Sequence, residues 1–172
     1  MVKKILLIAV IVVLFAGCIQ TQTQQQQDAA NIQVKPSAGS YIPEGTHKNS
    51  SLWLINYTVE VSTIEEGFVG YYKSNEPVYI IEPGEKAIVI KGMVESRYNE
   101  SKYVILSAKG YNPSGELVAE YVGKGAPGTA PTRGDYFNIE DGEEESFKLI
   151  MRYQENISTI RLSASIHEQP IP

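Results

Sequence analysis

Few residues in this chain are of types that do chemistry on their own. Its 172 residues include one cysteine, Cys18, and two histidines, His47 and His167, beside 17 glutamates and three aspartates. Zinc would need carboxylates gathered around two distant histidines, and no local ligand spacing provides them. The acidic group Glu140, Asp141, Glu143, Glu144 and Glu145 offers oxygen atoms to calcium but lacks the EF-hand spacing, and it reads as a solvated turn. Hydrolysis by two carboxylates needs a set separation across a cleft, which no pair here announces. The serines lack a Gly-x-Ser-x-Gly elbow, and the glycine-rich residues 123–128 lack the Lys-Ser/Thr ending of a phosphate cradle. The sequence therefore assigns no catalytic residue, no metal ligand and no cofactor.

Cys18 is placed differently. Residues 5–16 form an unbroken apolar run of 12, with Lys3 and Lys4 before it and Gly17 after it. A membrane-spanning helix needs about 20 apolar residues, and extending the run through Ile19 gives only 15. A cationic head and a short apolar run predict an export signal whose head stays inside while the remainder is exported. Leu14-Phe15-Ala16-Gly17-Cys18 resembles the lipobox of prokaryotic membrane lipoproteins, with Phe15 where Leu, Val or Ile is usual. The resemblance implies that residues 1–17 are a lipoprotein signal peptide and that the Cys18 sulfur is alkylated by a membrane lipid. Cys18 would then be the new N-terminus, anchored at the extracytoplasmic face of the cell membrane. With no second cysteine, no intramolecular disulfide can form.

Removing residues 1–17 takes away Lys3 and Lys4 but none of the 20 acidic residues, so the formal charge moves from -5 to -7. That balance disfavours nucleic acid or an anionic lipid surface as the main partner. Residues 20–30 hold six glutamines without apolar periodicity, so residues 18–40 read as a lipidated, Gln/Thr-rich tether. Residues 41–172 are expected to form a single extracytoplasmic domain, long enough to bury a core.

That domain is punctuated like an all-β protein. Trp53, Ile55, Tyr57, Val59 and Val61 alternate with Asn56, Thr58 and Glu60, which predicts one long half-buried strand with Trp53 on the core side. Leu52 and Leu54 place apolar groups on its other face. Glu82-Pro83-Gly84-Glu85 has the residues of a type II turn. Toward the end, Phe147, Leu149, Met151 and Tyr153 alternate with polar neighbours, as do Ile160, Leu162, Ala164 and Ile166. The link between these two strands suits a hairpin or a crossover between sheets. Eight or nine such strands with short connections, and no amphipathic helix, predict a two-layer antiparallel β-sandwich. The acidic turns after Ile81 and Ile139 resemble those that precede core strands in Ig-like extracellular modules, which implies an Ig-like version of the sandwich.

The loop over residues 123–136 is the longest in the domain, and it carries the candidate partner-binding residues Lys124, Arg133 and Tyr136. Asn99 and Asn156 begin Asn-x-Ser sequences at predicted turns and are candidate glycosylation sites. Together these features predict a lipid-anchored cell-surface binding or scaffold module, accessory to an envelope assembly and meeting an envelope protein partner. The alternatives are a structural envelope lipoprotein without a soluble ligand and, further off, a carboxylate-dependent hydrolase.

Overall fold

The computed structural model describes residues 29, 31–45, 48–71, 77–121 and 135–170. Cys18, His47, Lys124 and Arg133 lie outside them. Eleven strands run in chain order: β1 (Gln33–Lys35), β2 (Ser40–Glu44), β3 (Lys48–Thr63), β4 (Phe68–Tyr71), β5 (Pro77–Ile81), β6 (Lys86–Ser96), β7 (Lys102–Tyr111), β8 (Leu117–Glu120), β9 (Asp135–Ile139), β10 (Glu144–Arg152) and β11 (Thr159–His167). The sheet begins at Gln33, inside the stretch read from sequence as tether, and Val34 is buried there.

The expected two-layer Ig-like sandwich is not the fold. A sandwich needs two separate sheets, and here β2 pairs with both β3 and β11, joining the two halves into one sheet in the order β10-β6-β3-β2-β11-β7-β8. Strand β1 adds to β11 and β9 adds to β7, giving nine strands, while β4 and β5 form a separate two-stranded sheet. The large sheet curls into a near-closed barrel. At its seam the Lys148 N–H of β10 donates to the Asp135 carboxylate of β9 at 3.3 Å. Period-two alternation with one buried face is common to sandwiches and barrels, so it could not separate them.

The link between β10 and β11 is a crossover and not a hairpin: β10 pairs with β6, and β11 pairs with β7. Both strands still aim their predicted apolar sets inward. Phe147, Leu149 and Met151 are buried on one side of the barrel, and Ile160, Leu162 and Ala164 on the other.

Strand β3 departs from strict alternation. Its register with β6 slips between Leu54 and Asn56, a bulge at Ile55. One extra residue exchanges the faces of everything beyond it. Leu52 and Leu54 therefore fill the core before the bulge and Val61 fills it after, which leaves Trp53 half-buried on the outside. Gly92 of β6 faces the bulge: a Cβ there would collide with the Asn56 carbonyl oxygen and lie 2.7 Å from Phe147 Cζ. Glycine lets the backbones and the Phe147 ring close over this point.

Candidate functional site

The two acidic turns have the same construction. In the first, Glu85 N–H donates to Glu82 O at 3.1 Å, Gly84 takes φ +84, and Glu85 Oε2 accepts the Glu82 N–H at 2.9 Å. In the second, Glu143 N–H donates to Glu140 O at 3.1 Å, Gly142 takes φ +70, and Glu143 Oε2 accepts the Glu140 N–H at 2.8 Å. Each turn ties its last carboxylate to its own backbone. Among the described residues, no three or more His, Cys, Asp or Glu side chains gather into a metal site.

The other predicted site residues are dispersed. Tyr136 begins the exposed face of β9, where its ring stacks on Tyr103 with centroids 6.1 Å apart and planes 8° from parallel. Asn99 and Asn156 are exposed in turns. His167 pairs in register with Tyr103 at the end of β11, and its Nε2 lies 3.1 Å from Ser165 Oγ. At the seam, burial pushes the Tyr121 hydroxyl up to about 12, with the nearby Asp135 carboxylate adding to the shift. Asp135 is itself raised by burial, against the opposing pull of the Lys148 and Tyr136 N–H groups.

Several basic side chains of the barrel meet a carboxylate. Lys91 pairs with Glu60 at 2.7 Å, Lys102 with Glu100 at 2.6 Å, and Arg152 with Glu85 at 3.4 Å. Arg97 lies in a nest: its guanidinium sits 3.9 Å above the Trp53 ring, Tyr41 packs edge-on to Trp53 at 4.9 Å, and Arg97 Nε reaches Glu95 at 2.9 Å. The Glu95 hydrogen bond is the main reason the Arg97 pKa is raised. The bulge at Ile55 creates this nest, because it leaves Trp53 facing outward.

A second basic group has no such partners among the described residues. Lys35 stands opposite Arg161 across β1 and β11, and Arg161 stands opposite Lys109 across β11 and β7. Aligned residues share a sheet face, and the neighbours of these three on their own strands (Val34, Ile160, Leu162 and Ala108) are buried, so the three cations form one outward row. At about 4.8 Å per strand the row spans about 10 Å. Glu120 of β8 ends it opposite Lys109, yet among the described residues none of the three cations makes an ion pair.

The row borders a partly open cleft of about 610 Å³. Arg161 and Ser163 of β11, Lys109 and Tyr111 of β7, Lys35 with Pro36, and Pro43 with Gly45 line it. Among the described residues, none that lines the cleft is acidic. The Arg161 guanidinium carbon lies 4.6 Å from the centre of the Tyr111 ring. Like charges directly opposite on adjacent strands cost about 0.2–1 kcal/mol per pair. The sheet bears that repulsion twice in one row, so the cleft is arranged to receive negative charge.

No family model matches this chain, and no curated protein matches it. Among solved structures it is similar to Campylobacter jejuni cj0090, at 8% identity and a TM-score of 0.34, over 80% of this chain and 98% of that one. It is also similar to a DUF1425 family member from Shewanella sp. pv-4, at 10% identity and a TM-score of 0.29, over 81% of this chain and 97% of that one. Both likenesses are distant, and the surface chemistry is read from this chain's own side chains.

Proposed function

We propose that this protein is a lipid-anchored binding module of the cell surface, held through Cys18 at the extracytoplasmic face of the membrane. The cleft beside Lys35, Arg161 and Lys109 is its principal binding surface. The cation row, without an ion pair among the described residues, carries this proposal, because it sits on a domain whose sequence is otherwise acidic. The anchor is supported by the lipobox-like Ala16-Gly17-Cys18. The polar stretch after Cys18 gives the domain reach from the membrane.

The loop over residues 123–134 is the second contact element. Its ends return to neighbouring positions on β7: the Tyr121 N–H donates to Ala108 O at 2.9 Å, and Asp135 pairs with Leu106. Lys124 and Arg133 belong to this loop, and Tyr136 follows it on β9. An acidic envelope partner seated on the row would lie near the strand β7 positions from which this loop departs and to which it returns.

Two measurements on the native membrane protein test the proposal. Intact mass should show Cys18 as a lipidated N-terminus, and Cys18→Ser should move the domain toward the aqueous fraction. A retained Met1 on unmodified protein would remove the anchor. A photo-crosslinking residue at Ser163 should form a discrete adduct in cells, and its absence would remove the cleft as the binding surface.

A further inference from the structure

We infer that the cleft binds a phosphate oxyanion carried on a small organic group. This rests on the proposed binding role of the domain and not on its anchor. Three cations on three adjacent strands face one space. A carboxylate has two oxygens and one charge, so a bidentate contact with Arg161 would leave both lysines unmatched. A phosphoryl group presents three or four acceptor oxygens in a tetrahedron, which can address the Arg161 fork and the two flanking lysines together. Ser163 and Tyr111 add hydroxyl donors to the same lining.

The size of the cleft extends the assignment. Its volume of about 610 Å³ lies within the range of small-molecule sites, about 300–1,000 Å³, and exceeds what a bare phosphate fills. The Pro36 and Pro43 rings provide an apolar wall for the attached group. The phosphate can come from a free phosphoester or from a phospholipid headgroup presented by the membrane to which the protein is proposed to be tethered.

Calorimetric titration of the full-length protein in a non-ionic detergent tests this with three probes: glycerol 3-phosphate, glycerophosphoglycerol and glycerol. At least one phosphate probe should bind saturably, and glycerol should not. Lys35→Gln combined with Arg161→Gln should weaken that binding at least tenfold, while Lys91→Gln, at an ion-paired cation elsewhere on the barrel, should leave it unchanged. Unaltered circular dichroism and melting would show that the double variant is folded. Tighter binding of the phosphomonoester identifies a soluble ligand, and tighter binding of the phosphodiester identifies a headgroup. Equal binding of all probes, no binding at millimolar concentration, or an unaffected double variant would overturn the inference. If no phosphate probe binds yet the Ser163 adduct forms in cells, the binding role survives and the phosphate assignment alone falls.

Discussion

Two arginines of this barrel lie over aromatic rings in different electrostatic circumstances. Arg97 rests on Trp53 with Glu95 beside it. Arg161 rests on Tyr111 with lysines on the two flanking strands and, among the described residues, no acidic one in the lining of its cleft. The stacking is shared, and the counter-ion is not. Arg97 therefore closes a piece of surface by its own contacts, whereas Arg161 is packed on a ring and left to interact with something else. A guanidinium packed on a ring loses less side-chain freedom on meeting an oxyanion.

The largest effect should come from removing the ring beneath the satisfied arginine. Trp53→Ala deletes a half-buried indole, and half of an aromatic side chain's area at about 25 cal/mol per Å² corresponds to about 2–3 kcal/mol. Denaturant unfolding should show that loss, with phosphate binding unchanged. A loss of phosphate affinity in this variant would mean that the two regions are coupled.

Supplying the missing counter-ion should turn the second region into the likeness of the first. Ser163→Glu places a carboxylate in the cleft and should lower phosphate affinity about tenfold, equivalent to about 1.4 kcal/mol, without lowering the melting temperature. Binding that persists at full strength would show that the cation row is not what recognises the ligand.

The reverse change is smaller. Glu95→Gln strips Arg97 of its partner, and an exposed pair of this kind is worth about 0.2–1 kcal/mol. Thermal melts should register that modest decrease, and they should lose its salt dependence.

These regions were legible in the sequence to different degrees, for a physical reason. Strand positions, the Glu82–Glu85 turn and the inward sets of β10 and β11 follow from local alternation and turn chemistry, and the structure has them. The bulge at Ile55 was hidden, because an inserted residue in a wholly apolar stretch leaves no polar mark where the faces exchange. Trp53 was accordingly expected in the core and lies outside. The cation row was hidden more deeply, since Lys35, Lys109 and Arg161 are far apart in sequence and only the pairing of β1 and β7 with β11 aligns them. Sandwich and barrel share the same alternation, so the role of β2 in joining the two halves needed the structure.

The seam between β9 and β10 provides a control that involves neither arginine. Burial raises the Asp135 carboxyl above its ordinary value. A carboxyl whose folded pKa exceeds its unfolded one contributes most below the unfolded pKa and loses that contribution as pH rises through the folded one. Asp135→Asn keeps an acceptor for the Lys148 N–H and should raise the melting temperature slightly at pH 7. That advantage should shrink at pH 3, where both proteins carry a neutral side chain. An equal difference at both pH values would mean that the effect is not the ionisation of Asp135.

The contrast between the two arginines can be measured in one spectrum. Nitrogen-15 NMR of the arginine Nε–H groups, assigned by single substitutions and followed while glycerol 3-phosphate is added to the full-length protein in non-ionic detergent, observes both at once. The Arg161 signal should move saturably, and the Arg97 signal should stay in place. A stationary Arg161, or equal movement of the two, would contradict the assignment of the cleft as an oxyanion site.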